Sequence, residues 1–273
     1  MRPHDFPGAP VPSQYRGVWR RTLLETPDAR DTGTTVYWLQ TSRWHADIRL
    51  PEGRPDFSGI RSIEECGPAH IGWLATQQGF AGFTDVSTDA KGSEICQWHR
   101  LVDFQPSPAT PDAGAMRFDG DDLTETGIHA HYLEEWRRLP DSTNGHAVLR
   151  LQEAAGARSG VLRLLLVAGA YVMHVRSRAE PWPADLSPGA SLADLVGGRP
   201  ELLDFEISFG HRTPDGWKIG RSTFPWLEQQ PVPLRIGRLE GAQLEVEFGG
   251  DVQRWEVLEW SIPDEDWNQP LDR

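Results

Sequence analysis

The residues best suited to chemistry in this chain stand in its first half, interleaved with tryptophans. Trp38, Gln40, Asp47, Arg49, Gln77 and Gln78 lie on or beside strand-like runs, as do Trp98, Arg100, Asp103 and Gln105. A guanidinium offers a planar fork of donors suited to a carboxylate or another polar head group. If one polar face turns inward, Arg49 with Asp103 or Asp47 forms a buried pair able to bind such a group. The competing arrangement leaves these side chains on a solvated outer face, with Trp44, Ala46 and Ile48 filling the interior. Alternation along the strand favours this second arrangement for Arg49. Glu125, Glu134 and Glu135 form another constellation. A carboxyl buried near Trp136 has its pKa raised and can act as an acid, although one inward and one outward glutamate is the ordinary arrangement. His129-Ala-His131 places two imidazoles two residues apart, which on a strand share a face. His99 or Glu125 would then be a third metal ligand, against the plainer reading of a solvated pair near a turn.

Motifs that are missing narrow the chemistry further. The chain has no Gly-x-Gly-x-x-Gly, no Walker Gly-Lys, no Gly-x-Ser-x-Gly and no His-Glu-x-x-His, so phosphate transfer, nicotinamide chemistry and zinc proteolysis have no support. Neither Cys66 nor Cys96 has metal-ligand spacing. No catalytic residue, metal or cofactor is assigned.

The elements that must position these residues are strands. Tyr15 to Thr26, Thr34 to Gln40 and Trp44 to Leu50 are rich in β-branched and aromatic residues. In the third run Trp44, Ala46, Ile48 and Leu50 share one face, and His45, Asp47 and Arg49 the other. A short helix fits within Pro68 to Gln78. Gly79-Phe-Ala-Gly-Phe83 reads as a strand whose glycines mark a bend or a close backbone approach. Further strands run over Ile95–Gln105, Met116–Phe118, Leu123–Thr126 and Ile128–Leu139, with Asp119-Gly-Asp-Asp122 as a hairpin turn. The same order then repeats. Ala147–Glu153, Val161–Val167 and Tyr171–Arg178 precede a short helix opened by Ser191 as N-cap with Asp194 three residues on. Strands follow at Leu202–Phe209, Trp217–Ser222, Leu234–Arg238, Gln243–Phe248 and Val252–Ser261.

Short strands at regular spacing form a meander that must close or be covered at its edges. The expectation is an all-β protein of two tandem up-and-down antiparallel barrels, each with one short helix. Residues 1–14 are a lead-in, 15–140 the first barrel, 146–262 the second and 263–273 a tail. A chain of 273 residues with 38% hydrophobic residues supports two cores, and 12 tryptophans supply large rigid fillers. The net charge of −13 and the lack of any Lys/Arg cluster beyond Arg20-Arg21 and Arg137-Arg138 argue against nucleic acid as a partner. The apolar run Val161–Met173 is broken by Arg163 and Gly169 and is too short to span a bilayer. The first ten residues hold no apolar signal core. With two cysteines only, reduced thiols in the cytoplasm are expected rather than a disulfide framework.

At Gly17-Val-Trp19 the first strand carries a Gly-x-Trp. With the meander that follows, it resembles the calycin superfamily, the lipocalins and fatty-acid-binding proteins. The second half has no matching Gly-x-Trp and shares only the segment order. The whole-chain plan also resembles a small fungal family of casein-kinase-interacting proteins with two lipocalin-like barrels, and its uncharacterised bacterial relatives. The resemblance implies tandem barrels and no established activity. It also brings haem into view, since some calycin barrels hold haem through one histidine; His99, His131, His174 and His211 are the strand-borne candidates, against an ordinary structural role for each.

The expected function is noncatalytic binding of a small apolar or amphipathic molecule in the first barrel. Its candidate residues are Trp38, Gln40, Arg49, Gln78, Trp98, Arg100, Asp103, Glu125 and Glu134. The alternatives are a protein–protein interaction module with solidly packed barrels, and a lyase or isomerase using buried carboxylates. No membrane partner is expected.

Overall fold

The computed structural model describes residues 8–107, 109–151, 160–187, 189–232, 234–240, 242–248 and 251–262, with backbone only for 234–240, 247 and 248. The first half holds β1 (Gly17–Glu25), the two-residue β2 (Arg30–Asp31), β3 (Thr35–Gln40), β4 (Trp44–Leu50), helix α1 (Pro68–Leu74), β5 (Gln78–Thr88), β6 (Glu94–Asp103), β7 (Asp112–Asp119), β8 (Asp122–Gly127) and β9 (Leu133–Arg138). Successive strands pair antiparallel, and β1 pairs with β9, so eight strands close into a barrel with β2 appended to β1. Closure removes both sheet edges. It is an eight-stranded antiparallel barrel with little helix, compatible with a calycin-like fold.

The second half holds β10 (His146–Leu151), β11 (Arg163–Ala168), β12 (Tyr171–Arg176), helix α2 (Leu192–Leu195), β13 (Glu206–Thr213), β14 (Gly216–Ser222), β15 (Leu234–Glu240), β16 (Gln243–Phe248) and β17 (Asp251–Trp260). The plan is that of the first half: three strands, a short helix, five strands, and a last strand that returns to the first. Ser191 and Asp194 form the expected cap, with Ser191 N–H and Oγ–H donating to Asp194 Oδ2 at 2.8 and 2.7 Å.

One seam differs. Among the described residues no pairing joins β14 to β15, so the second sheet is open and the expectation of a second closed barrel is corrected. The connection between them holds Pro225 and Pro231, which lack the N–H a ladder needs. Residues 229–232 instead lie along β14, with Ile219 N–H donating to Gln230 O at 2.9 Å and Val232 N–H to Trp217 O at 2.7 Å.

A shared apolar layer joins the halves. Val18, Leu39, Trp44, Ala46 and Ile48 project from the first barrel's outer face into one cluster with Val148, Leu164, Leu166, Met173, Val175 and Ile207. The opposite face of the second sheet packs Leu149, Leu165, Val167, Val172, Leu244, Val246 and Trp255. Leu164, Leu165, Leu166 and Val167 are therefore all buried in succession. A strand covered on both faces loses the apolar–polar alternation of a half-buried one.

This layer reverses the expected facing of β4. Its apolar residues pack outward on the second half, so His45, Asp47 and Arg49 point into the barrel. Gly79 permits the approach: a Cβ there would sit 2.7 Å from both Asp47 O and Ile207 Cδ1. Polar ties flank the layer. Gln77 Nε2 donates to Thr223 O at 3.2 Å, Leu192 N–H donates to Gln105 Oε1 at 2.9 Å, and Arg178 donates to the carbonyls of Asp103 and Phe104.

Within the lead-in, Val11 is buried and its N–H donates to Ser42 O at 2.7 Å, so this part is laid on the barrel. The side chain of Phe248 and the tail 263–273 lie outside the described residues. Among the described residues no helix is long and apolar enough to cross a membrane. Cys66 and Cys96 are both free.

Candidate functional site

The interior of the first barrel is packed at one end and hollow at the other. At the packed end Trp19 is fully buried, donates its indole N–H to Tyr15 O at 2.8 Å and stacks on Trp38 at 6.3 Å between ring centroids. Phe118 packs on both Tyr15 and Trp19. At the other end is a cavity of about 260 Å³. Trp38, Phe80, Trp98 and Trp136 give it buried aromatic walls; Leu24, Thr26, Asp112 and Tyr132, each partly exposed, give it a rim. Asp47 and Arg49 of β4, Arg100 of β6, Glu125 of β8 and Glu134 of β9 complete the lining.

The charges are organised around three guanidiniums. Arg49 Nε donates to Asp47 Oδ1 at 2.8 Å, with Glu134 Oε1 at 3.8 Å from its Nη1. Burial works against the charge of Arg49, and Asp47 and Glu134 outweigh it, so its pKa is raised. Arg100 bridges Asp103 at 2.8 Å and Asp112 at 2.6 Å and lies 3.7 Å from the centre of the Phe80 ring. Arg21, behind the wall, bridges Glu134 and Asp31, both at 2.7 Å. Such pairs rigidify a site, because a buried charge stripped of its partner is costly.

Glu125 stands apart. It is 3% exposed, lies directly opposite Glu134 across the β8–β9 ladder, and joins no ion pair among those described. Tyr132 donates its hydroxyl to Glu125 Oε1 at 2.7 Å. Burial, and then the neighbouring Glu134, push the Glu125 carboxyl well above the usual range against the opposing Tyr132 bond, favouring its protonated form. A neutral carboxyl both donates and accepts.

Two donors in the walls lack acceptors. Among the described residues the indole Nε1 atoms of Trp38 and Trp136 have no hydrogen-bond partner and are themselves buried, in residues that are 2% and 3% exposed. Buried polar groups are rarely left so. Mostly apolar walls with a few placed polar groups are the usual make-up of a small-molecule site, and the volume falls just below the ~300–1,000 Å³ typical of drug-sized ligands.

Of the nine residues named from the sequence, Trp38, Arg49, Trp98, Arg100, Glu125 and Glu134 meet at this cavity. Asp103 sits behind Arg100, and burial raises its pKa against the opposing effect of that guanidinium. Gln40 is buried deeper, accepting from Thr84 Oγ1 at 2.8 Å, while His45 Nδ1 lies 3.0 Å from the same hydroxyl. Burial, then Arg100 and His99, lower the His45 pKa to about 3, so this histidine is neutral. Gln78 is exposed and lies away from the cavity. Asp112, Tyr132 and Phe80 belong to the lining without having been named as candidates. Asp112 begins a strand four residues before the expected start at Met116, and Tyr132 lies before β9 rather than within it.

The histidine geometries change as well. His129 and His131 stand exposed in the loop before β9, not on a strand, so they share no strand face. Among the described residues no group of three or more His, Cys, Asp or Glu is placed to hold a metal. His99 Nε2 approaches Asp85 Oδ2 to 3.0 Å without hydrogen-bond geometry, and its ring stacks on Phe83. His174 lies 3.0 Å from Glu206, and His211 is exposed.

Comparison with protein-family models, with curated proteins and with solved structures finds no match.

Proposed function

We propose that the first barrel binds a small amphipathic molecule in its cavity without transforming it. We read the chain as a tandem of calycin-type barrels whose second member has opened at one seam and serves as a support. The observation that carries the reading is a preformed cavity of about 260 Å³ walled by Trp38, Phe80, Trp98 and Trp136, with a few charged groups placed on its lining. A chain needing only a filled barrel would gain more by packing that space with aliphatic side chains, since buried ion pairs are weak stabilisers. Proton–nitrogen correlation spectra test it. On addition of a library of small aromatic fragments, the indole signals of Trp38 and Trp136, assigned with Trp→Phe variants, are expected to shift. The Trp19 signal, bonded to Tyr15 O, is expected to move less. Unmoved Trp38 and Trp136 signals throughout would end the proposal.

A second reading has one observation of its own. A neutral Glu125 bonded to Tyr132 and facing Glu134 is the arrangement in which one carboxyl can donate a proton while another accepts. A lyase or isomerase would use Glu125 as the acid. The interaction-module reading has less support, because the large exposed apolar residues among those described, Leu101, Ile128 and Val252, lie on separate elements.

A further inference from the structure

The charge pattern of the cavity points to the head group of its guest, an inference that rests on the ligand-binding reading above. Every other carboxylate in or beside the lining has a guanidinium: Asp47 has Arg49, Asp103 and Asp112 share Arg100, and Glu134 has Arg21. Glu125 has only the Tyr132 hydroxyl. Its surroundings are acidic from each side. Glu134 faces it from β9 and Asp112 from β7, the Cys96 thiol of β6 lies near it, and the cation closest in effect, Arg49 of β4, is held by Asp47.

The fold also makes room for this carboxyl. At Gly114 of β7 a Cβ would fall 2.7 Å from Glu125 Cγ and 2.9 Å from its Oε1. Only glycine leaves the Glu125 side chain in place. A leucine or methionine at 125 would fill the wall at less cost than a buried acid with no cation. Trp38, Trp98, Trp136 and Tyr132 line the same cavity, and aromatic rings attract cations most strongly where water is excluded.

We propose that the first barrel takes a small organic ammonium compound, with its cation against Glu125 and its apolar body against Trp38 and Trp136. An anionic guest is disfavoured because three guanidiniums, Arg21, Arg49 and Arg100, already face six carboxyl groups. In the empty cavity Glu125 carries a proton. The guest's cation takes the place of that proton, which leaves to solvent.

Three probes that share a 2-(4-methoxyphenyl)ethyl body separate the possibilities: 2-(4-methoxyphenyl)ethylamine, 2-(4-methoxyphenyl)ethanol and 3-(4-methoxyphenyl)propanoate. Each is titrated into the full chain and into Glu125→Gln by tryptophan fluorescence and calorimetry between pH 6 and 9. Expected is binding of the amine, tightening up to about tenfold per pH unit while Glu125 remains protonated. The proton released appears as a difference in heat between phosphate and Tris buffers. Glu125→Gln, isosteric with the neutral acid, is expected to lose at least about tenfold for the amine and less than about threefold for the alcohol. If the alcohol or the propanoate binds and the amine does not, or if amine affinity ignores pH, the ammonium assignment is overturned and the pocket stands. If no probe binds and the fragment library leaves Trp38 and Trp136 unmoved, both proposals fall. Should Glu125→Gln not fold, the pH dependence of the unaltered protein decides alone.

Discussion

Glu125 links the pocket to pH in a direction that can be worked out. Its carboxyl is raised in the fold above the ordinary value of 4.5. A group of this kind contributes its full stability below the unfolded pKa and loses it as pH rises toward the folded pKa. The native protein should therefore weaken above about pH 5 by up to about 1.4 kcal/mol per pH unit until Glu125 ionises. Glu125→Gln removes that dependence. Thermal melts from pH 5 to 9 should show the Tm of the variant gaining on the unaltered protein as pH rises; a constant difference would contradict a neutral Glu125. Arg49 carries the complementary prediction. Its side chain is 22% exposed while that of Asp47 is 2% exposed. Arg49→Leu should cost about 3 kcal/mol by leaving Asp47 buried alone. The double variant with Asp47→Leu should recover most of that in urea melts, and an equal loss in both would show that the pair is not the cause. At this scale the sequence named Trp38, Trp98, Arg49, Arg100, Glu125 and Glu134, because aromatic and charged residues interleaved on strands are unusual. It did not name Arg21, Asp112 or Tyr132. Their role depends on which strand ends meet when the barrel closes, and no local pattern carries that.

Among the elements, β4 shows how alternation can mislead. The two faces of Trp44-His-Ala-Asp-Ile-Arg-Leu50 were separable from the sequence, but which face lay inside was not. The rule that apolar residues face the barrel interior assumes solvent outside. Here the outside of β4 is the other half of the chain, and the inside is the charged cavity. The β1–β9 closure, by contrast, follows from the meander, and the register places Trp19 opposite Arg138 and Trp136 opposite Arg21. Trp19 and Trp136 share the barrel's aromatic cluster, whereas Tyr132 lies at the cavity rim and not beside Trp19. Trp19→Ala should cost about 3–5 kcal/mol. At a temperature where the variant is folded, fragment binding should persist; unchanged melting with binding lost would make Trp19 part of the site. Gly79 on β5 is tested by Gly79→Val, whose Cβ would meet Asp47 O and Ile207 Cδ1 at 2.7 Å each. A loss of about 1–3 kcal/mol is expected from the overpacking, and an unchanged Tm would mean that the two halves do not approach as described.

For the molecule as a whole, the shared layer matters more than the repeat. Two halves of one plan were legible from strand spacing and a short helix in each. Their union was not, since it depends on surfaces that meet only after folding. The opened seam between β14 and β15 was equally hidden, although Pro225 and Pro231 mark where the ladder fails. Because Val18, Leu39 and Ile48 share a core with Leu164, Met173 and Ile207, the chain should melt as one unit in scanning calorimetry, and two separated transitions would contradict the shared core. The sheet of the second half holds β4 and β5 from outside, which frees their inner faces to carry charge and leave a cavity. That the cavity receives a guest is the central claim, and a crystal structure of the full chain soaked with small aromatic amine and alcohol fragments tests it most directly. The account predicts fragment density inside the first barrel, packed against Trp38 or Trp136 and, for an amine, its nitrogen against Glu125. A barrel end holding only ordered water, or filled by its own side chains, with fragments bound elsewhere, would contradict it.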